Sequence, residues 1–143
     1  DIDDLFEWAN DPITRNNSYS KENIDYSTHV KWVQNKITSS DCVFLMFENA
    51  LGQKVGFVRF DREEQKIWVI SINIAPLQRG NGYSVELLRR ALIHFKSMKG
   101  ENKVDAFIKK ENAASVKAFE RAGFEYLKDV NIKGEDSILM TWK

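Results

Sequence analysis

The sequence has one cysteine, two histidines and no net charge, and each of these shortages excludes a class of function. With Cys42 alone, neither an intramolecular disulfide nor a cysteine metal cluster can form, and we expect no metal cofactor. The 21 basic residues balance 21 acidic ones without a basic block, which argues against nucleic-acid binding. No apolar run reaches membrane-spanning length and no signal-peptide pattern opens the chain, so we expect a cytoplasmic protein.

The length and composition suit one globular domain. A chain of 143 residues, 43% of them hydrophobic, can bury a proper core, so we assign residues 1–143 to a single domain. The first residue is Asp1, and a helical pattern begins almost at once. We interpret this start as that of a trimmed chain or of a domain cut from a longer polypeptide.

Two helices are predicted in the first 40 residues. The first has apolar residues at helical spacing, namely Ile2, Leu5, Phe6 and Ala9. Asn10, Asp11 and Pro12 end it, and the polar residues 13–26 are predicted to form a loop. Ser27 is a candidate N-cap for a second helix that runs to about Thr38, with Val30, Val33 and Ile37 as its apolar stripe. We expect Cys42, just beyond it, to be a strand residue.

The period then changes to that of strands. Residues 43–47, 54–60 and 66–74 form a predicted antiparallel meander with short connections. A long helix ends near Lys99, a strand at 103–108 lies parallel to the third strand, and a short helix covers 113–121. Residues 124–129 and 137–142 pair around Gly134. In the third strand, the polar residues Ser71 and Asn73 lie near the carboxyl end. We therefore expect a ligand cleft at that end.

Residues 74–84 are the most informative segment. A β-rich apolar run leads into a glycine-containing loop that opens directly into the long helix. Backbone N–H groups converge there at the positive end of the helix dipole, which favours an anion such as a phosphate. Gly80 and Gly82 allow the sharp turn that this requires. A nucleotide-triphosphate loop would need a Gly-Lys-Ser/Thr ending, and a dinucleotide fingerprint would need glycine where Val85 stands.

The loop instead resembles the acyl-CoA loop of the GNAT N-acetyltransferase family. Arg79, Gly82 and Ser84 occupy the positions of its pattern, with serine as the last small residue. A second signature of the family, an Asn followed eleven residues later by Gly-Phe, matches Asn112 and Gly123-Phe124. The resemblance implies an α/β fold with a mixed, mostly antiparallel sheet of about six strands and about four helices. The strand that usually opens the family is missing from this sequence.

The resemblance implies acetyl-CoA as co-substrate and a set of residues that bind it. These are Ile72, Asn73, Ile74, Arg79, Gly80, Asn81, Gly82, Tyr83, Ser84, Asn112, Ser115 and Phe119. Residues 79–84 would hold the pyrophosphate, and the strand before them would bind the pantetheine arm. A backbone N–H of Asn73 or Ile74 would stabilise the oxyanion. Asn112 contacts pantetheine, caps the following helix, or does both.

The acid and base of the reaction are less sharply indicated. Many family members have Tyr where this chain has Phe119, as the acid that protonates the departing thiolate; water or Tyr83 are the alternatives. His29 is the candidate base, because its ordinary pKa near 6.5 suits proton removal at neutral pH. A purely structural role for His29 is equally compatible with the sequence. Asp25 and Glu48 are alternative bases, and His94 is expected to be solvated.

Residues 7–32 resemble the subgroup that acetylates nucleotide-linked amino sugars. The resemblance is carried by Trp8, Asn10, Arg15, His29 and Trp32. It implies acceptor binding by Asn10, Arg15, His29 and Trp32, although both tryptophans also fit a core. The alternatives are a protein N-terminal acetyltransferase of the ribosomal-protein type and a non-catalytic acyl-CoA-binding module. A homodimer, or fusion to another sugar-pathway domain, would suit this function.

Overall fold

Six strands form one mixed sheet in the computed structural model, which describes residues 2–20 and 22–143. The strands are β1 (Cys42–Glu48), β2 (Lys54–Glu64), β3 (Ile67–Ile74), β4 (Lys103–Lys109), β5 (Glu125–Ile132) and β6 (Glu135–Trp142). Their order is β1-β2-β3-β4-β6-β5, and every neighbouring pair is antiparallel except β3 and β4. The predicted mixed, mostly antiparallel sheet of six strands is confirmed.

Five α-helices lie within the described ranges and cover both faces of the sheet. They are α1 (Ile2–Ala9), α2 (Pro12–Asn17), α3 (Tyr26–Thr38), α4 (Tyr83–Lys99) and α5 (Ala113–Arg121). The larger core joins one sheet face to α4 and α5, and its centre includes Phe60, Trp68 and Phe95. A smaller core joins the other face to α1 and α3 and buries Trp8. None of the helices in the described part of the chain is long and apolar enough to cross a bilayer.

The segment predicted as a polar loop contains a helix. The first helix ends before Asn10, Asp11 and Pro12, as predicted, but Pro12 also lies in the first turn of α2, where its missing N–H costs nothing. Asp11 provides the N-cap, with its carboxylate accepting from the Thr14 backbone N–H at 3.2 Å. The predicted N-cap of α3 also needs correction. Asp25 caps that helix rather than Ser27, accepting from the Thr28 N–H at 2.9 Å.

Strands β3 and β4 pair over three residues only. Ile67–Val69 is in register with Lys103–Asp105, whereas β3 continues to Ile74 and β4 to Lys109. The two strands therefore separate toward their carboxyl ends. On its other edge β3 stays paired with β2 as far as Gly56, which lies opposite Ile74. A Cβ on Gly56 would collide with the Asn73 carbonyl oxygen, so glycine permits this close approach.

Candidate active site

A cavity of about 850 Å³ opens where β3 and β4 separate. The N-terminal ends of α4 and α5 line one side of it, and residues from α1, α2 and α3 line the other. It brings together most of the predicted site residues: Arg15, His29, Trp32, Ile72, Asn73, Ile74, Arg79, Gly80, Gly82, Tyr83, Ser84, Asn112, Ser115 and Phe119. Residues more than 100 positions apart thus meet in one cavity.

Asn10 and Asn81 lie outside the lining of this cavity. The Asn10 amide is instead used to hold the chain before α3. Its Nδ2 donates to the Ile24 carbonyl at 2.8 Å, and its Oδ1 accepts from the Ile24 N–H at 2.7 Å. These two bonds place Asn10 in a structural contact rather than facing an acceptor.

The glycine loop has the backbone conformation that the sequence predicts. Gly80 has φ +81° and Gly82 has φ +77°, a region that residues with a Cβ adopt only with strain. Gly82 is the N-cap of the 17-residue helix α4 and supplies no side chain to the first-turn N–H groups. These groups and the dipole of α4 therefore face the cavity as an anion-binding end.

Helix α5 places two predicted residues at the cavity. The Asn112 side chain accepts from the Ser115 backbone N–H at 3.3 Å, so the N-cap role predicted for Asn112 is confirmed. Phe119 is 4% exposed and packs edge-on against Phe124, with ring centroids 5.0 Å apart. Phe119 therefore offers a packing surface beside the cavity and no proton.

His29 is buried among aromatic rings on the opposite side. It is 3% exposed and lies 5.6 Å from Phe6 and 5.9 Å from Trp32, measured between ring centroids. Burial lowers the pKa of His29 below its ordinary value, and a hydrogen bond with the Ile2 backbone offsets this only in part. Its Nε2 has no hydrogen-bond partner among the described residues. A neutral imidazole with an unused nitrogen can accept a proton.

The other candidates for proton transfer lie elsewhere. Asp25 is the N-cap of α3 and Glu48 is exposed at the end of β1, so neither lines the cavity. His94 is exposed on α4, as the sequence predicts. Burial and the neighbouring Asp61 carboxylate raise the pKa of Cys42 to about 11, which keeps the thiol protonated. Cys42 belongs to β1, so its prediction as a strand residue is confirmed.

Arg15 projects from α2 and organises the chain that follows it. Its guanidinium donates to the carbonyls of Ser20 and Glu22 at 3.0 and 3.1 Å, and to the Ser18 hydroxyl at 3.3 Å. Arg15 thus brings its positive charge to the cavity, while its Nε–H is enclosed without a partner among the described residues.

Sequence reasoning missed several polar residues of the lining. Among them are Tyr19, Arg59 and Lys109. The Tyr19 hydroxyl donates to the Ser137 hydroxyl at 2.7 Å, and burial raises the pKa of Tyr19. The Lys109 side chain is 1% exposed and its ammonium donates to the Asn16 carbonyl at 2.9 Å. The first contact joins residues 118 positions apart and the second joins residues 93 positions apart, so no local sequence pattern predicts them.

Arg59 lies over the Trp32 ring, with its guanidinium carbon 4.7 Å from the ring centroid. It also forms an ion pair with Asp61 at 2.7 Å. The alternation of β2 was the available signal, because Phe57, Arg59 and Asp61 share the face that carries Ser71 and Asn73 in β3. Trp32 is thereby held between His29 and Arg59, with part of its surface at the cavity.

The charge of the lining is one-sided. Four lining residues are basic, namely Arg15, Arg59, Arg79 and Lys109, and none of the lining residues that the structure describes is Asp or Glu. The carboxylates paired with Arg59, Arg79 and Lys109 belong to Asp61, Asp11 and Glu135, which lie outside the lining and offset part of this charge. A cavity of this composition suits anionic ligands better than cationic ones.

The sequence and the fold are similar to those of known proteins. A family model described as an acetyltransferase (GNAT) domain matches residues 1–125. No curated protein matches the sequence.

The fold is also found in solved structures. Spermidine N-acetyltransferase from Vibrio cholerae, in complex with CoA and spermine, superposes with a TM-score of 0.89 at 18% identity, covering 99% of this chain and 89% of that one. The aminoglycoside acetyltransferase AAC(6')-Ib, in complex with ribostamycin and CoA, gives 0.82 at 17% identity, covering 99% and 87%. At these identities the likeness establishes the fold.

Proposed function

Because this chain belongs to the GNAT acetyltransferase family, we propose that it moves the acetyl group of acetyl-CoA to the primary amine of a nucleotide-linked amino sugar. The coarser activity, acetyl-CoA-dependent N-acetylation, follows from the family itself. The acceptor is the part that this proposal adds. It is supported by the charge of the cavity lining.

The cofactor side has a group for each part of acetyl-CoA. The N–H groups of residues 80–84, at the start of α4, suit the pyrophosphate. The edge of β3 that β4 leaves free, at Ile72, Asn73 and Ile74, suits the pantetheine arm as an added strand. A backbone N–H in this stretch, directed at the thioester oxygen, would lower the barrier by about 3 kcal/mol.

The reaction then needs a neutral amine. His29 takes the proton of the acceptor ammonium, and the amine nitrogen forms a bond to the thioester carbon. The carbon–sulfur bond breaks and CoA leaves as a thiolate. Since an ordinary thiol has a pKa of about 8.5, the thiolate is a tolerable leaving group. The nitrogen still carries one proton more than the amide product, and it loses this proton as the carbon–sulfur bond breaks. The proton passes to the thiolate, directly or through water. A hydroxyl at Phe119 is therefore not required.

The absence of carboxylates from the described lining is the observation that favours an anionic acceptor. Spermine and ribostamycin, bound in the two solved structures, are amines, and polyamines carry several positive charges. The charge of Arg15 would repel such a molecule, whereas it would attract a diphosphate. Trp32, backed by Arg59, offers an aromatic surface on which a sugar or base can stack.

A panel of acceptors tests the proposal. We would measure CoA release from acetyl-CoA with a nucleoside-diphosphate amino sugar, the same amino sugar without its nucleotide, spermidine, ribostamycin and a peptide with a free N-terminus. We expect the highest kcat/KM for the nucleotide sugar and at least a tenfold loss for the bare sugar, since the diphosphate is what the basic lining recognises.

Each other outcome points to a different function. Preference for spermidine or ribostamycin would contradict the inference, drawn from the basic lining, that the acceptor is anionic. Preference for the peptide would favour a protein N-terminal acetyltransferase. Binding of acetyl-CoA with no turnover of any acceptor would favour a non-catalytic module.

A further inference from the structure

The side chain of Arg79 points away from the glycine loop to which its backbone belongs. Arg79 follows the short helical turn Pro76–Gln78 and directly precedes Gly80. Its Nη1 lies 2.7 Å from Asp11 Oδ2, and its Nη2 donates to the Thr14 hydroxyl at 2.9 Å. Both ends of the guanidinium fork are therefore occupied by the start of α2, on the acceptor side.

The same carboxylate oxygen of Asp11 caps α2. It accepts from the Thr14 N–H at 3.2 Å while it is paired with Arg79. Burial would raise the pKa of Asp11, but the hydrogen bonds from Arg79 and Thr14 together outweigh it and hold the pKa below its usual value. The next residue after Thr14 is Arg15, so this contact fixes the part of α2 that carries the candidate acceptor clamp.

We propose that Arg79 is a positioning residue for the acceptor side, while the pyrophosphate is bound by the backbone N–H groups that follow it. A guanidinium that gives one N–H of each terminal nitrogen to Asp11 and Thr14 cannot turn that fork to a phosphate without breaking both contacts. The proposal assigns the Arg79 side chain a role that its prediction as a cofactor-binding residue does not include. It rests on the proposed function for its acceptor readout only.

The first experiment separates the two roles without an acceptor. The Kd of CoA is measured by calorimetry for Arg79→Ala, with pantetheine, which lacks the pyrophosphate, as the second ligand. Hydrogen exchange is measured in peptides covering α2 and α4. We expect CoA affinity to stay within threefold of wild type and α2 to exchange at least tenfold faster, with α4 unchanged.

Two further variants make the interpretation specific. Asp11→Asn removes the same ion pair from a residue outside the loop, and it should reproduce the faster exchange of α2. Arg90→Ala removes a cation from the exposed face of α4 and should change neither measurement. A tenfold or greater loss of CoA affinity in Arg79→Ala, with pantetheine binding intact, would overturn the proposal, as would unchanged exchange of α2.

Kinetics extend the test to the acceptor. With the best acceptor of the panel, Arg79→Ala should raise the acceptor KM at least tenfold and leave the KM of acetyl-CoA within threefold. Arg79→Lys, which keeps a cation near Asp11, should recover part of the loss. If the nucleotide sugar is not the acceptor, the proposed function fails while the calorimetry and exchange measurements still decide the role of Arg79.

Discussion

The two sides of the cavity are built from different parts of the chain. On the side of α4 and α5, the groups proposed to bind acetyl-CoA belong mainly to the backbone: the N–H groups after Gly82 and the free edge of β3. On the side of α1–α3, they are side chains held by long-range contacts, such as Tyr19 and His29. Backbone geometry depends on glycines and helix ends, whereas side-chain geometry depends on neighbours that are distant in sequence.

This difference has a consequence for specificity. A backbone site keeps its ligand as long as the loop keeps its conformation, so the cofactor side tolerates most side-chain changes. The acceptor side changes its ligand when one of a few side chains changes. Substitutions should therefore separate into effects on acetyl-CoA and effects on the acceptor.

Gly82→Glu should have the largest effect on binding, because it changes the loop whose backbone is proposed to bind the pyrophosphate. At φ +77° a residue with a Cβ is strained by about 1 kcal/mol, and the new carboxylate repels the pyrophosphate. We expect the Kd of CoA, measured by calorimetry, to rise about a hundredfold, or 2.7 kcal/mol. Gly82→Gln is the matched control, since it adds a side chain of the same size at the same φ without the charge, and it should lose less affinity. Unchanged CoA affinity in folded Gly82→Glu would contradict the loop assignment.

His29→Gln should lower kcat by about a hundredfold and leave CoA binding intact, because proton removal is then left to water. In wild type the active form is neutral His29, so activity falls as the pH drops through its pKa. Since burial lowers that pKa, the acidic limb of the kcat/KM profile should have its midpoint below about 6.5.

The exposed His94 on α4 provides the control for this experiment. His94→Gln should keep both the rate and the acidic limb. Folding must be checked across the pH range, because a histidine with a lowered pKa destabilises the folded state as the pH falls below its unfolded pKa. An acidic limb that persists in folded His29→Gln would exclude His29 as the base.

Arg15→Ala should act on the acceptor alone. Loss of a charge-assisted contact to the acceptor should raise its KM by roughly 1.5 to 3 kcal/mol, or about ten- to a hundredfold, with little change for acetyl-CoA. Steady-state kinetics with both substrates varied measure this. Arg15→Lys keeps the charge without the planar fork and should recover the rate only in part. Equal increases in both KM values would mean that the two sides are not independent.

Phe119→Tyr should have the smallest effect. Phe119 packs against Phe124 and the thiolate needs no added acid, so the rate should stay within a few-fold of wild type, or rise if protonation limits it. The measurement is kcat alongside the melting temperature. A hundredfold loss at normal stability would show that the space beside Phe119 is occupied by a reacting group.

The cofactor side was predictable because its signals are local. Gly80, Gly82 and the start of α4 are contiguous, and the conformation that their sequence demands is the one observed. The cap at Asn112 is similarly local. Helix α2 was missed because Pro12 was interpreted as a stop, although a preceding Asp11 makes it a start.

The acceptor side could be predicted only in part. Tyr19 reaches the cavity through Ser137, and Lys109 reaches it through Asn16, and such partners become visible only when the chain is folded. Asn10 was predicted to bind the acceptor and does not line the cavity. Its amide instead forms hydrogen bonds with the backbone of Ile24. The close approach of Gly56 to Asn73 could not be predicted from the sequence either, because glycine is required there only by the position of the neighbouring strand.

The three-residue pairing of β3 with β4 divides the sheet into two antiparallel halves, β1–β3 and β4–β6. In the first half, consecutive strands are joined by short loops, whereas in the second half β4 pairs with β6 across α5 and β5. The seam between the halves must in addition wait for α4 to cross. A pantetheine arm lying along the free edge of β3 would reinforce that seam. Acetyl-CoA would then act as a structural tie as well as a reactant, adding about 2.7 kcal/mol of stability at a hundred times its Kd. The two halves of the sheet would be held together most firmly while acetyl-CoA is bound, and each release of CoA would weaken the contact between them.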